Sequence, residues 1–273
     1  MSQDLILETK NLIKAFKGFT AVDDVNLQIE RGAIHALIGP NGAGKTTVFN
    51  LLTKYLTPTS GTLLFNGRDI TARQSADIAR LGIVRSFQIS AVFPHLSVLE
   101  NVRVALQRTE GNSFHFWQHE RVLNRLNDKA MALLDDVGLT EFAQSKTLDL
   151  PYGRKRALEI ATTLALDPEL MLLDEPTQGM GHEDVDVVAN LIKRVSAGRT
   201  ILMVEHNLQV VAKLADRITV LQRGAILTEG DYAGVSADPR VREAYLGVAD
   251  DAPAAPVASP VAAHSGVVAG AGA

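Results

Sequence analysis

Gly39-Pro40-Asn41-Gly42-Ala43-Gly44-Lys45-Thr46-Thr47 has the spacing of a loop that wraps phosphate: Gly, four residues, then Gly-Lys-Thr. Glycines let successive backbone N–H groups curl around an anion, and a helix that follows adds the positive end of its dipole. In such a loop Lys45 reaches the β- and γ-phosphates of a nucleotide, and the Thr46 hydroxyl ligates Mg2+. The flanks fit that chemistry. The apolar run "AIHALI" precedes the loop and the helix-like "TTVFNLLTKYL" comes after it. An incidental lysine in a glycine-rich turn needs neither.

A second cluster is acidic. "LMLLDEP", Leu170 to Pro176, puts two carboxylates at the end of an apolar run. In an open parallel sheet, ligands bind outside the carboxyl ends of the strands. Asp174 is then placed to hold Mg2+ through oxygen, the ligand atom that hard cation prefers. Glu175 is placed to polarise an attacking water. Two single residues close similar runs: Gln88 after "GIVRSF" and His206 at the end of "ILMVEH". Alone, the first reads as a solvated amide and the second as a structural histidine. They become candidates because their strands should end at the same edge as Asp174. Phe16, in "KAFKGFTAV", suits either stacking on a purine or packing in the core.

The stretch "LPYGRKRALEIA", Leu150 to Ala161, poses an electrostatic question. Pro151 suits the first position of a helix. Arg154, Lys155 and Arg156 then fall near the positive end of that helix, where cations are unfavourable. Either they splay into water, or an anion sits there. Lys155 is also spaced to pair with Glu159, in the weaker Lys-before-Glu order.

The elements that must position these residues are legible as patterns. The first 70 residues read as β-rich, and Asn66-Gly67 marks a hairpin. Short apolar runs at "AIHALIG", "ELMLLDE", "TILMVEH" and "RITVLQRG" are of buried-strand type. A helical pattern lies between two of them, with Val185, Val188, Leu191, Ile192 and Val195 on one face. Buried strands alternating with helices imply a largely parallel sheet covered on both faces. From about Ile89 to Thr163 no buried strand is apparent and leucines recur at helical spacing, which reads as an inserted helical subdomain. No internal repeat is present. From Asp250 the chain is nearly all Ala, Pro, Val, Gly and Ser, the composition of a disordered tail. The folded part should end near Val241 to Gly247.

Composition excludes several classes. Among 273 residues, 27 basic side chains face 31 acidic ones, so there is no basic nucleic-acid footprint. The absence of cysteine excludes disulfides and thiolate metal sites. "MSQDLILETK" lacks the order of a signal peptide. No apolar run approaches the ~20 residues that span a bilayer, so a soluble chain is expected, with any membrane role supplied by partners.

In this order the motifs resemble an ATP-binding cassette (ABC) nucleotide-binding subunit, over about Leu5 to Gly247. "GPNGAGKTT" is similar to its Walker A loop, Gln88 to its Q-loop, "LPYGR" to its signature, "LMLLDE" to its Walker B strand, and His206 to its switch histidine. The resemblance implies an α/β fold with a RecA-like P-loop NTPase core, an antiparallel β subdomain and an inserted helical subdomain at 88–163. Residues 248–273 form the tail. It implies Mg2+-dependent ATP hydrolysis, with Glu175, His206 and Gln88 catalytic and Thr46, Gln88 and Asp174 at the metal. It also implies a head-to-tail pair with a second ABC ATPase subunit, identical or different. ATP then lies between one subunit's Walker A loop and the other's signature, so Tyr152, Gly153 and Arg154 face the partner's nucleotide. Arg154 is the cation expected nearest to it.

Three features resemble the LivG-type subunits of branched-chain amino acid importers: "VRSFQISAVFPHLSVLENV", the "YG…R.LEIA" signature and the ending "DPRVREAYLG". That implies two membrane permeases, indirectly a periplasmic solute-binding protein, and a peripheral place on the cytoplasmic side of a bacterial inner membrane. The closing segment is also similar to the ATPase of lipopolysaccharide export, which usually keeps a Ser-Gly-Gly signature. Soluble ABC ATPases of translation or DNA repair generally carry two cassettes, and an unrelated P-loop kinase leaves the signature unexplained. The chain departs from the family pattern at Pro151, where the signature serine would stand, at Arg154 in place of glutamine, and at Gly181 in place of Asp or Asn.

Overall fold

The structure, a computed structural model, describes residues 4–86, 92–109 and 125–246. Gln88 and the Ala/Pro-rich tail lie outside the described residues.

Six strands form the central sheet, in the order β11-β10-β4-β9-β8-β7. They are β4 (Ile34–Ile38), β7 (Ile83–Ser86), β8 (Leu170–Asp174), β9 (Thr200–Val204), β10 (Arg217–Gln222) and β11 (Ala225–Gly230). All neighbours are parallel except β10 and β11. The apolar runs are continuous because both faces are covered. Ile34, Ala36, Ile38, Met171, Leu173, Ile201 and Met203 point to one core. Leu37, Leu170, Leu172, Leu202 and Val204 point to the other. Alternation along each strand, not polarity, decides which core a side chain joins.

The first core is closed by helices: α3 (Val98–Thr109), α4 (Asn127–Asp136), α5 (Tyr152–Leu164), α6 (His182–Val195) and α7 (Leu208–Leu214). On α6 the residues at helical spacing, Val188, Leu191, Ile192 and Val195, are buried. The second core holds α1 (Lys45–Leu52), α2 (Ser75–Arg80) and an antiparallel sheet. That sheet contains β1 (Leu5–Phe16), β2 (Phe19–Val25), β3 (Gln28–Glu30), β5 (Ser60–Phe65) and β6 (Arg68–Asp69). Asn66 and Gly67 both have positive φ, as the tight turn between β5 and β6 requires. Two short helices, α8 (Tyr232–Ala237) and α9 (Pro239–Leu246), complete the described chain.

Two local expectations are corrected. Pro151 is not the first helical residue. Its ψ of 157° is extended, and its carbonyl accepts the Lys155 N–H, so it is the N-cap and α5 begins at Tyr152. Nor does Lys155 pair with Glu159: its Nζ donates to the Leu148 carbonyl, and Arg156 takes the carboxylate.

Phe49 is fully buried beneath the loop that begins α1, with the Arg85 guanidinium 5.7 Å from its ring centre. Phe49→Ala should lower unfolding stability by about 3–5 kcal/mol, and Phe49→Leu by clearly less. Urea unfolding followed by circular dichroism measures both.

Candidate active site

The register of the sheet assembles the site. Leu37 and Asp174 both pair with Val204, so β4, β9 and β8 end side by side. The residues just beyond these strands therefore share one edge: the loop from Gly39 after β4, Glu205 and His206 after β9, and Glu175 after β8.

The loop from Gly39 to Gly44 has the shape of an anion cradle. Gly44 is the N-cap of α1 with a φ of 104°, and no side chain caps that helix. A Cβ on Gly39 would come within 2.2 Å of the Leu221 carbonyl, and one on Gly44 within 2.6 Å of the Ala21 carbonyl. Pro40, Asn41, Gly42 and Ala43 form the intervening turn, with Ala43 buried. Lys45 is also buried, and its Nζ donates to the carbonyls of Gly39 at 2.6 Å and Pro40 at 3.0 Å. Burial lowers the Lys45 pKa, while Glu175 and Asp174 pull it back up. The ammonium is thus held against the carbonyls at the start of the loop. Thr46 is exposed and Thr47 half-buried on the first turn of α1.

Asp174 is paired with Arg85, whose other amino group donates to Asn50 Oδ1 at 2.7 Å. Glu175 comes next, in the left-handed region with a φ of 45°, and its N–H donates to the Val204 carbonyl. Its carboxylate stands 4.0 Å from His206 Nδ1. An acid and an imidazole at that separation flank a space in which a water can be polarised.

Phe16 is not a core residue. It closes the β1–β2 hairpin opposite Phe19, with ring centres 5.6 Å apart and Lys14 Nζ 5.1 Å from the Phe16 ring. The same hairpin puts the Ala21 carbonyl against Gly44, so the exposed aromatic pair stands on a strand that borders the loop.

The signature stretch divides its cations. The Arg154 guanidinium lies over Phe142, 3.9 Å from the ring centre. Lys155 caps Leu148. Arg156 is buried beneath the turn after β8 and donates to the carbonyls of Asp174, Glu175 and Pro176. The Tyr152 hydroxyl donates to the Gln178 carbonyl, and Gly153 packs so closely on Asp184 that a Cβ would sit 3.2 Å from its carboxylate.

This geometry has close counterparts. The family model described as ABC transporter matches residues 22–178, and that of the branched-chain amino acid ATP-binding cassette transporter matches residues 225–251. The chain belongs to the ATP-binding cassette transporter family. It is 37% identical to the high-affinity branched-chain amino acid transport ATP-binding protein BraF of Pseudomonas aeruginosa, over 89% of this chain and 98% of that protein. It is 38% identical to LivG of Escherichia coli K12, over 91% of this chain and 100% of that one. A crystal structure of the ADP conformation of the ATP-binding cassette MJ1267 matches with a TM-score of 0.78 and 29% identity, over 89% of this chain and 99% of that one. As a cassette of this family, the chain binds ATP and hydrolyses it for a transporter. Among the described residues no helix is long and apolar enough to cross a membrane.

No group of three or more metal-binding side chains occurs among the described residues. A Mg2+ ion that keeps phosphate and water ligands needs only a hydroxyl and one carboxylate from the protein; of the candidates, Thr46 is exposed and the Asp174 carboxylate is paired with Arg85.

Two side chains of the site, Arg85 and Glu205, escape sequence reading, and Arg156 meets neither water nor an added anion but the backbone carbonyls beyond β8. Glu205 is fully buried, and no cation accompanies it in the described hydrogen bonds. One oxygen accepts from the N–H and hydroxyl of Thr177, the other from the N–H groups of His206 and Asn207. It ties the turn after Glu175 to the turn that carries His206. A usable signal is present, since an acid directly before His206 closes an otherwise apolar run. Removing it strands several buried donors. Glu205→Ala should lower stability by about 2–4 kcal/mol, read as the shift of the urea midpoint at constant slope.

Proposed function

We propose that this cassette powers uptake of branched-chain or related amino acids. It would do so from the cytoplasmic side of a bacterial inner membrane, with a second cassette, two membrane permeases and, indirectly, a periplasmic solute-binding protein. The observation that carries the solute class is the match of residues 225–251 to the C-terminal model of the branched-chain transporters. The names of the relatives at 37–38% identity support import over lipopolysaccharide export or a soluble role.

In this reading residues 5–247 are one cassette, 88–163 its helical arm and 248–273 a tail. The loop from Gly39 to Thr47, through the backbone N–H groups of its residues other than Pro40, and the Lys45 ammonium hold the triphosphate, with Phe16 beside the base. Thr46, Asp174 and Gln88 would hold Mg2+, which would neutralise charge on the triphosphate. Glu175 accepts the proton of the attacking water, and His206 fixes the geometry of the γ-phosphate. Tyr152, Gly153 and Arg154 close on the nucleotide of the facing cassette. A groove of about 450 Å3 lies between α2, α3, α5 and β7, with Tyr55, Phe93 and Val104 among its walls. Those three side chains are exposed and apolar, which suits a cytoplasmic segment of the permease.

Two substitutions test the assignment. Lys45→Ala should abolish tight Mg-ATP binding, measured with a fluorescent ATP analogue. Glu175→Gln should keep that binding and lower turnover by about 10²-fold or more. Undiminished hydrolysis in Glu175→Gln would remove Glu175 from its role. For the solute class, turnover of the complex reconstituted with its own permeases should rise when leucine-loaded binding protein is added. A rise with other solutes and not with leucine, isoleucine or valine would overturn it.

A further inference from the structure

Arg156 is spent on backbone. Its Nε donates to the Pro176 carbonyl at 3.1 Å, and its Nη2 to those of Asp174 at 3.0 Å and Glu175 at 3.1 Å. Its Nη1 is held by Glu159 Oε2 at 2.5 Å. With 5% of its surface exposed, it has little water to solvate its charge. Three consecutive carbonyls thus converge on one guanidinium, which happens only where the chain curls tightly. The curl centres on Glu175, a non-glycine residue with a φ of 45°. That conformation is disfavoured for an L-residue with a long side chain, and it persists where the surroundings over-determine it. Two backbone bonds help: Glu175 N–H to the Val204 carbonyl, and Gln178 N–H to the Glu175 carbonyl. Neither opposes the repulsion among the three carbonyl dipoles. A cation beneath them does.

We propose that Arg156 is a positioning residue for ATP hydrolysis, holding the Asp174-Glu175-Pro176 turn in the conformation that aims the Glu175 carboxylate. This rests on the assignment of Glu175 as the base. The planar fork of arginine matches the arrangement, because its donors lie in one plane and reach several acceptors at once. Lysine brings the same charge as a point and cannot hold the three carbonyls and Glu159 together. Glu159 in turn fixes the guanidinium. It is 2% exposed; burial raises its pKa and Arg156 opposes that rise. Arg156 lies on α5, the helix that the signature begins. The same rigid element therefore carries the residues offered to the partner's nucleotide and sets the catalytic turn of its own chain.

The test uses the full-length chain with four variants: Arg156→Lys, Glu159→Gln, Glu175→Gln and the Arg156→Lys/Glu175→Gln double. Mg-ATP affinity is read with a fluorescent ATP analogue, turnover by phosphate release, and folding by circular dichroism. Arg156→Lys should lower kcat about 10- to 100-fold with nucleotide affinity changed less than about 2-fold. Glu159→Gln keeps a hydrogen-bond acceptor for Arg156 and should lower kcat only a few-fold. It stands in if Arg156→Lys does not fold, and an unchanged kcat there would then overturn the proposal. In the Glu175→Gln background, Arg156→Lys should cause no further loss. A folded Arg156→Lys with unaltered kcat would overturn the proposal, as would a loss that multiplies with that of Glu175→Gln. Equal falls in affinity and turnover would do the same. If Glu175→Gln itself keeps turnover, the failure lies in the assignment of the base.

Discussion

The site depends on the register of three strands. β4, β9 and β8 are parallel and end level, with Val204 paired to Leu37 on one side and to Asp174 on the other. Neighbouring strands lie about 4.8 Å apart, so the phosphate loop and the acidic turn are separated by about 10 Å, with His206 leaving the strand between them. Nothing in the loops could correct a slip. A shift by one residue sends every side chain of a strand to the opposite face. On β8 it would exchange Leu172 and Leu173 between two closed cores. The covering of both faces therefore fixes the positions of polar groups that belong to neither core.

Beyond the strand ends, burial is matched by charge or by hydrogen bonds. Asp174 is held by Arg85, the carbonyls of the next turn by Arg156, and Glu205 by donors from Thr177, His206 and Asn207. In a low-dielectric interior each of these groups would be costly alone, and a satisfied network is rigid for that reason. These partnerships link the strand ends to one another and to the neighbouring turns and helices. His206 itself is half exposed.

Which parts are legible in the sequence depends on the range of the interactions. The cradle from Gly39 to Thr47 is written locally, because its shape comes from glycine spacing and from the helix next in chain. The apolar strands and the β5–β6 turn at Asn66-Gly67 are local in the same sense. The level ending of the strands is implied by their shared pattern, and it brings Glu175 and His206 together as expected. The partnerships of Arg85 and Arg156 are invisible because they are remote: Arg156 meets carbonyls about twenty positions away, and Asp174 lies 89 positions from Arg85. Glu205 is held partly by its neighbours His206 and Asn207, and only its bonds to Thr177 are long-range. Backbone carbonyls carry no residue identity, so no pattern of side chains could announce them. Pro151 and Lys155 depart from expectation for a related reason. Helix rules place them to within one residue, but the loop before α5 decides the cap and the partner.

The three cations at the start of α5 show how an unfavourable local arrangement becomes stable. A helix N-terminus repels positive charge over about its first turn. Here none of the three stays there. Arg154 leans onto Phe142, Lys155 turns back to Leu148, and Arg156 reaches down to the carbonyls beyond β8. Each charge finds electron density outside the helix. The helix end itself is left bare: no acidic residue in the first turn, no side-chain cap, and a proline whose own carbonyl begins the hydrogen-bond ladder. The acid that stands against Gly153, Asp184, is brought by α6 and caps no N–H of α5. A chain that spent a carboxylate on the cap position would be more stable alone and would close that end to phosphate. Leaving it uncapped keeps the end of α5 complementary to an anion; in the function proposed above, that anion is the nucleotide of a facing cassette.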